Sequence, residues 1–178
     1  MTTTTHASEH LSYRELCCFN RLGVPYREFA SGRIVRTVPI GGLVASYPSD
    51  WRGVGRRAER LGQAFELARS VFGRPITPLS AYRPVLYNAA AKGEAGSWHI
   101  QGMALDLPCP KGQNVQDWYD ALVRLAQTAE GSMIRGIGLN TAGNALHIDV
   151  RPSPDILVVW AYERGRPINA ESIPVSSR

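Results

Sequence analysis

The chain has 178 residues, of which 20 are Lys or Arg and 15 are Asp or Glu, so its formal net charge is +5. Its hydrophobic fraction of 44% is ordinary for a globular protein, and its length favours one domain with a substantial core. No apolar run reaches the roughly 18 residues of a membrane-spanning helix, and the polar, Thr-rich residues 1–10 do not resemble a secretory signal. We therefore expect synthesis in the cytoplasm, with another export route for any extracellular action.

The first part of the chain is predicted to be mainly helical. Residues 1–10 are predicted to be disordered because they are polar, and Ser12 with Glu15 has the pattern of a capping box at the start of a short helix. Residues 23–47 are rich in Gly and Pro and suggest short strands around loops. The clearest helix spans about residues 50–72, where apolar residues recur at steps of four and three and therefore share one face: Val54, Ala58, Leu61, Phe65, Ala68 and Phe72.

The second part of the chain is predicted to consist mainly of strands. Strand alternation places Asp106 on the face opposite Leu105, and it places His147 and Asp149 on one common face. The predicted elements in chain order are a strand at 76–80, a helix at 84–91, a Gly-containing loop at 92–96, a strand at 103–108, a helix capped by Asn114, a hairpin of strands at 133–139 and 145–150, and a last strand at 156–162.

This order of elements predicts the fold class. Helices come first, and strands interrupted by one helix follow, which favours an α+β fold with a small, mainly antiparallel sheet and helices packed on one side. We expect a disordered segment at 1–10, a single domain at 11–165 and a C-terminal tail at 166–178.

The positive charge has two readings, a solvated basic surface or attraction to an anionic polymer such as nucleic acid or cell wall. Lys and Arg are scattered along the chain and form no basic stripe, so we predict no nucleic-acid partner. The densest cluster lies on the predicted long helix, where it is typical of a solvent-facing surface: Arg52, Arg56, Arg57 and Arg60.

Three residues have the types and spacing of a metal site. His99 is followed seven residues later by Asp106 and about forty residues after that by His147. Imidazole nitrogen and carboxylate oxygen are zinc ligands, and three protein ligands leave one position for water, as in catalytic zinc sites. A tight turn at Gly102 would fold His99 back beside the start of the Asp106 strand. Spacing alone also allows each of these residues an ordinary structural role.

Five short motifs occur in a fixed order: SAYR at 80–83, YNAA at 87–90, SWHIQGMALD at 97–106, GIG at 136–138 and HID at 147–149. This series resembles the zinc D-alanyl-D-alanine carboxypeptidase family, which shares its fold with the hedgehog signalling domain. Within that family it is most similar to the branch of murein endopeptidases and phage-associated peptidases that ends in His-x-Asp. The resemblance covers roughly residues 60–151.

The resemblance implies a role for individual residues. By position, His99, Asp106 and His147 match the three ligands of Zn²⁺. Ser97 matches a serine that contacts substrate, and Arg83 matches an arginine that holds a substrate carbonyl or carboxylate, where a guanidinium can stabilise a developing oxyanion. Arg83 has an alternative role, which is a salt bridge that fixes its loop.

One departure from the family concerns the general base. Many members carry an acidic residue a few positions before the last histidine, but Thr141, Asn144 and Ala145 occupy those positions here. Asp149 is the obvious substitute because it shares a face with His147. It could equally orient the imidazole of a ligand, and Glu94 is a weaker candidate for the base.

The resemblance implies a zinc peptidase that hydrolyses peptidoglycan stem peptides or cross-links containing D-amino acids through a metal-activated water. It leaves open whether the enzyme is a carboxypeptidase or an endopeptidase and whether it is of D,D or L,D type. The alternative is a zinc-stabilised, non-catalytic cell-wall-binding or virion structural module on the same fold. We expect the protein to act on the cell wall after release or as part of a phage particle.

Overall fold

A computed structural model describes residues 6–16, 18–19, 35–40, 43–48, 51–153, 155–163 and 166–175. Predictions for residues 1–5, 20–34 and 176–178 lie outside the described residues. The described helices are α1 (Tyr13–Leu16), α2 (Trp51–Phe72), α3 (Val85–Ala90) and α4 (Val115–Ala126), with a 3₁₀ turn at Glu130–Met133. The described strands are β1 (Cys18–Phe19), β2 (Val35–Ile40), β3 (Leu43–Pro48), β4 (Ala104–Pro108), β5 (Gly136–Asn140), β6 (Ala145–Asp149), β7 (Ile156–Glu163) and β8 (Arg166–Pro174).

Local side-chain chemistry starts two of the helices as predicted. The amide of Ser12 donates to Glu15 Oε2 at 2.9 Å and the amide of Glu15 donates to Ser12 Oγ at 3.3 Å, which confirms the capping box before α1. The amide of Gln116 donates to Asn114 Oδ1 at 3.0 Å, which confirms Asn114 as the cap of α4.

The strands form two sheets. The larger has the order β4-β6-β5-β7-β8 and the smaller the order β1-β3-β2. In the larger sheet β5 and β7 pair in parallel and the other neighbours are antiparallel. The structure therefore confirms an α+β fold with a mainly antiparallel sheet. Within the described residues, no helix has the length and apolar character needed to cross a membrane.

The two faces of the larger sheet have different roles. One face is apolar and packs against α2 and α4, and it forms the hydrophobic core: Leu105, Leu107, Ile137, Leu139, Leu146, Ile148, Leu157 and Val159 from the strands, with Leu61, Phe65, Trp118 and Leu122 from the helices. The opposite face carries Asp106, His147 and Asp149, because side chains alternate along a strand. The core therefore fixes which side chains are available for chemistry.

The structure differs from prediction at both ends of the described chain. We predicted disorder for residues 1–10, but residues 6–10 pack on α2, where Ser8 Oγ donates to Glu66 at 2.7 Å and the amide of His10 donates to the same carboxylate at 2.8 Å. We predicted a tail from residue 166, but β8 pairs with β7 along Arg166–Pro174. Hydrogen bonds to Glu66 hold the polar residues 6–10, whereas backbone pairing with β7 and the packing of Ile173 and Val175 on the core hold residues 166–175.

A third difference lies before the motif that contains Arg83. Residues 76–80, predicted as a strand, contribute only an isolated antiparallel bridge between Ser80 and Asp106. The amide of Asp106 donates to Ser80 O at 2.9 Å and the amide of Leu79 donates to Asp106 O at 2.8 Å. This short pairing brings the Arg83 segment against the exposed edge of β4.

Gly138 on β5 is predicted to be intolerant of substitution. A Cβ atom there would lie 2.6 Å from indole atoms of Trp160, whose ring is buried. Because overpacking forces neighbours apart, Gly138→Ala should lower the free energy of unfolding by about 1–3 kcal/mol. Urea unfolding measures this change. Gly96→Ala is the control, since a Cβ at Gly96 would meet nothing within 4 Å; equal losses in the two variants would contradict the prediction.

Candidate active site

A tight turn delivers His99 to the sheet. Residues 97–102 fold back so that the amide of Gly102 donates to His99 O at 3.1 Å and the amide of Met103 donates to Trp98 O at 3.0 Å. Gly102 has a φ of +66°, a left-handed conformation that glycine adopts without strain. The predicted turn is confirmed. Ser97 supports it, because its Oγ accepts from the amide of His99 at 3.4 Å.

Strand register brings the other two candidate ligands together. Asp106 on β4 lies opposite His147 on β6, and His147 lies opposite Gly138 on β5. Gly138 in turn lies opposite Trp160 on β7. Directly opposed side chains on one face are neighbours, so the missing side chain at Gly138 leaves room for the rings of His147 and Trp160, whose centroids are 5.1 Å apart.

His99, Asp106 and His147 converge on one point. The distances are 3.2 Å from His99 Nε2 to Asp106 Oδ1, 3.2 Å from His99 Nε2 to His147 Nδ1 and 3.3 Å from His147 Nδ1 to Asp106 Oδ1. Tetrahedral zinc with bonds of about 2.0–2.1 Å requires ligand atoms about 3.3 Å apart. The donor set and its spacing therefore fit zinc.

Each imidazole has one nitrogen occupied by an acceptor. His99 Nδ1 lies 2.6 Å from the carbonyl oxygen of Ala81, which can only accept, so the proton sits on Nδ1 and Nε2 keeps its lone pair. His147 Nε2 lies 3.2 Å from Asp149 Oδ2 and donates to it, which leaves Nδ1 as the ligand atom. Partners of this kind set the tautomer and ring orientation of metal-bound histidines.

Two arginines flank the cluster. Arg83 contacts Asp106 Oδ2 through Nη2 and donates from Nε to Ser80 Oγ at 2.7 Å. Asp106 thus uses one oxygen for Arg83 and directs the other at the histidines. Arg151 donates to Asp149 through Nε at 2.7 Å and through Nη2 at 2.6 Å. Asp149 is completely buried and lies behind His147, on the side away from His99.

The pKa values follow from these contacts. Burial lowers the pKa of His99 despite the nearby charge of Asp106. Burial opposes ionisation of Asp106, but the two histidines outweigh it and hold its pKa well below the usual range. Burial also disfavours a charged His147, yet hydrogen bonds to Asp106 and Asp149 raise its pKa to about 9. Burial would raise the pKa of Asp149, but Arg151 and His147 lower it to about 2.

The cluster opens into a cleft of about 1140 Å³. The cleft is lined by three residues that the sequence analysis placed at the site, Arg83, Ser97 and Glu94. Among the described lining residues the carboxylates are Asp106 and Glu94, and Glu94 is exposed. Three further lining residues were missed by sequence reasoning, because nothing local distinguishes them from core or surface positions: Arg151, Trp160 and Tyr162.

Removal of one ligand should abolish stoichiometric metal binding. His147→Ala deletes one of three donors, so zinc bound per chain after dialysis should fall from about one to near zero. Metal analysis by mass spectrometry measures this. His10→Ala is the matched control, because His10 is exposed and bonded to Glu66, away from the cluster. An equal zinc content per chain in His147→Ala and the parent protein would contradict the assignment of His147 as a ligand.

Metal affinity should depend on pH through His147. With its pKa at about 9, His147 carries a proton on Nδ1 at neutral pH when no metal is bound. Metal must displace that proton, so the apparent association constant should rise about tenfold per pH unit up to pH 9 and then level off. Zinc titrations from pH 6.5 to 10 with a competing chelator measure the slope. A flat profile between pH 7 and 9 would contradict this prediction.

A comparison with known protein families identifies the chain. The peptidase M15 family matches residues 40–149, which is more than half of the chain and includes all three candidate ligands. No curated protein sequence matches it. The matched segment carries the turn, the strand pair and the His-Asp-His cluster described above. The chain therefore belongs to the peptidase M15 family of zinc D-alanyl-D-alanine carboxypeptidases.

Proposed function

We propose that this metallopeptidase hydrolyses peptide bonds of peptidoglycan, in stem peptides or cross-links that contain D-amino acids. The observation that carries the proposal is the preorganised set of His99, Asp106 and His147 at the floor of an open cleft. The cleft is large enough for several residues of a peptide, since pockets for small ligands are about 300–1,000 Å³. The net charge of +5 favours an anionic wall polymer.

His99, Asp106 and His147 would hold a zinc ion through Nε2, Oδ1 and Nδ1. Zinc at such a site polarises a carbonyl and lowers the pKa of a water molecule. Arg83 keeps Asp106 oriented and lines the cleft, where its guanidinium stabilises the negative charge that develops on the scissile carbonyl oxygen. Ser97 also lines the cleft, where it would contact the substrate.

The two candidates for the general base have different surroundings. Asp149 is completely buried; its Oδ1 accepts from Arg151, and its Oδ2 accepts from both Arg151 and His147. Its position supports the orienting role rather than proton transfer from water. Glu94 is exposed, lines the cleft and has its carbonyl held by the buried Asn88, whose Nδ2 donates to it at 2.8 Å. We propose that Glu94 accepts the proton of the attacking water.

Turnover tests the function. Purified protein with zinc should release soluble muropeptides from murein sacculi, and mass spectrometry of the products identifies the bond that is cut. This distinguishes carboxypeptidase from endopeptidase and D,D from L,D cleavage. Sacculi that stay intact over a range of zinc and pH would instead support the non-catalytic wall-binding or virion module, which the absence of an acid at Thr141, Asn144 and Ala145 favours. The phage-associated setting stays a prediction.

Paired substitutions separate the two carboxylates. Glu94→Gln should lower kcat by about 10²–10⁴-fold with little change in zinc affinity, since a general base contributes about that much. Asp149→Asn should weaken zinc binding by about 10–100-fold, since the amide is uncharged and replaces one of the two oxygens that accept from His147 and Arg151 by an NH₂ donor. Steady-state kinetics and zinc titrations measure both. Glu130→Gln is the control, because Glu130 is exposed and does not line the cleft. An unchanged kcat in Glu94→Gln would rule out Glu94 as the base.

A further inference from the structure

Arg151 lies beyond the segment that matches the family and is placed by the end of β6. It follows Asp149 by two residues, and it donates three hydrogen bonds to that carboxylate. Nε donates to Oδ1 at 2.7 Å, Nη2 donates to Oδ2 at 2.6 Å, and the backbone amide donates to Oδ1 at 3.2 Å. A two-pronged pairing of this kind fixes the plane of the carboxylate as well as its position.

The guanidinium of Arg151 is itself held between two indole rings. Its Cζ lies 5.5 Å from the ring centroid of Trp98 and 5.4 Å from that of Trp160. Both distances are within cation–π range. Trp98 precedes His99 in the tight turn, and Trp160 stands on β7 in the same cross-strand row as His147. Arg151 therefore connects the two parts of the chain that supply the histidines.

Close packing leaves Asp149 and Arg151 little freedom. A Cβ atom on Gly136 would lie 2.1 Å from Asp149 Oδ2 and 2.6 Å from Arg151 Nη2, so the glycine provides the space that both groups fill. Arg151 has a side-chain exposure of 17% and Asp149 of 0%. The carboxylate in turn accepts from His147 Nε2 at 3.2 Å. The contacts form a continuous path from the two indoles through Arg151 and Asp149 to His147.

We propose that Arg151 is a positioning residue of the metal site. By holding Asp149 in one orientation, it fixes the His147 ring so that Nδ1 faces His99 Nε2 and Asp106 Oδ1. The proposal rests on the proposed function in one respect, since the cluster must bind zinc. Arg151 contacts Asp149 and the indoles of Trp98 and Trp160, so it would act on the three ligand atoms through Asp149.

Zinc affinity and the visible spectrum of the cobalt-substituted protein test this role. Arg151→Met should weaken zinc binding by about 10–100-fold, as loss of an outer partner of a metal ligand does, and should shift the cobalt d–d bands because His147 is less well oriented. Arg151→Lys keeps the charge but cannot donate from two nitrogens, so its zinc affinity should lie between those of Arg151→Met and the parent chain. Arg124→Met on α4 is the control, because Arg124 is exposed and does not line the cleft.

A double-mutant cycle shows whether Arg151 acts through Asp149. The variant with both Asp149→Asn and Arg151→Met should bind zinc no more weakly than Asp149→Asn alone, because residues in one network are not additive. If Arg151→Met does not fold, as judged by circular dichroism, the cycle is run with Arg151→Lys. Additive losses, or variants of Arg151 that bind zinc and give cobalt spectra like the parent chain, would overturn the positioning role and leave the proposed function standing. Failure of the parent chain to bind zinc would overturn both.

Discussion

The register between β4 and β6 is the constraint on which the site depends. It sets Asp106 opposite His147, and the pairing of β6 with β5 sets His147 opposite Gly138. A slip of β4 by one residue would turn Asp106 into the hydrophobic core and bring Leu105 out, and a slip of β6 would do the same to His147 and Ile148, because side chains alternate across a strand. The burial of those apolar neighbours against α2 and α4 therefore holds the metal-ligand geometry in place.

The face of the sheet opposite the core buries charge in an ordered series. Arg83 pairs with Asp106. His147 lies between Asp106 and Asp149, and Arg151 pairs with Asp149. Burial disfavours the charged forms of Asp106, His147 and Asp149, and hydrogen bonds between groups of opposite charge compensate. Asp149 occupies Nε2 of His147 and the Ala81 carbonyl occupies Nδ1 of His99, so the other nitrogen of each imidazole is directed at a shared point before any metal binds.

The candidate metal ligands and the candidate general base come from different parts of the chain. The matched segment contains the candidate metal ligands His99, Asp106 and His147, whereas the positions just before His147 hold Thr141, Asn144 and Ala145 rather than an acid. Asp149 shares a face with His147, but its burial and its bond to Arg151 direct it at the back of the ring. The cleft wall supplies Glu94 from a different loop. With Glu94 as the base that we propose, metal binding and water activation depend on separate parts of the chain.

Local sequence patterns were sufficient to predict many of the elements and the family of this protein. Periodicity determined α2 and the alternation of His147 and Asp149, the residue types at Ser12 and Asn114 determined two helix starts, and five motifs in order pointed to the family and its ligands. Sequence reasoning failed for β8 and for residues 6–10, which backbone pairing and hydrogen bonds to Glu66 hold in place. It could not identify Asp106 as the partner of Arg83, or Trp98 and Trp160 as the rings that contact Arg151, because those contacts join residues on separate elements. A sequence determines which side chains share a face, whereas strand order and packing decide which of them meet across elements.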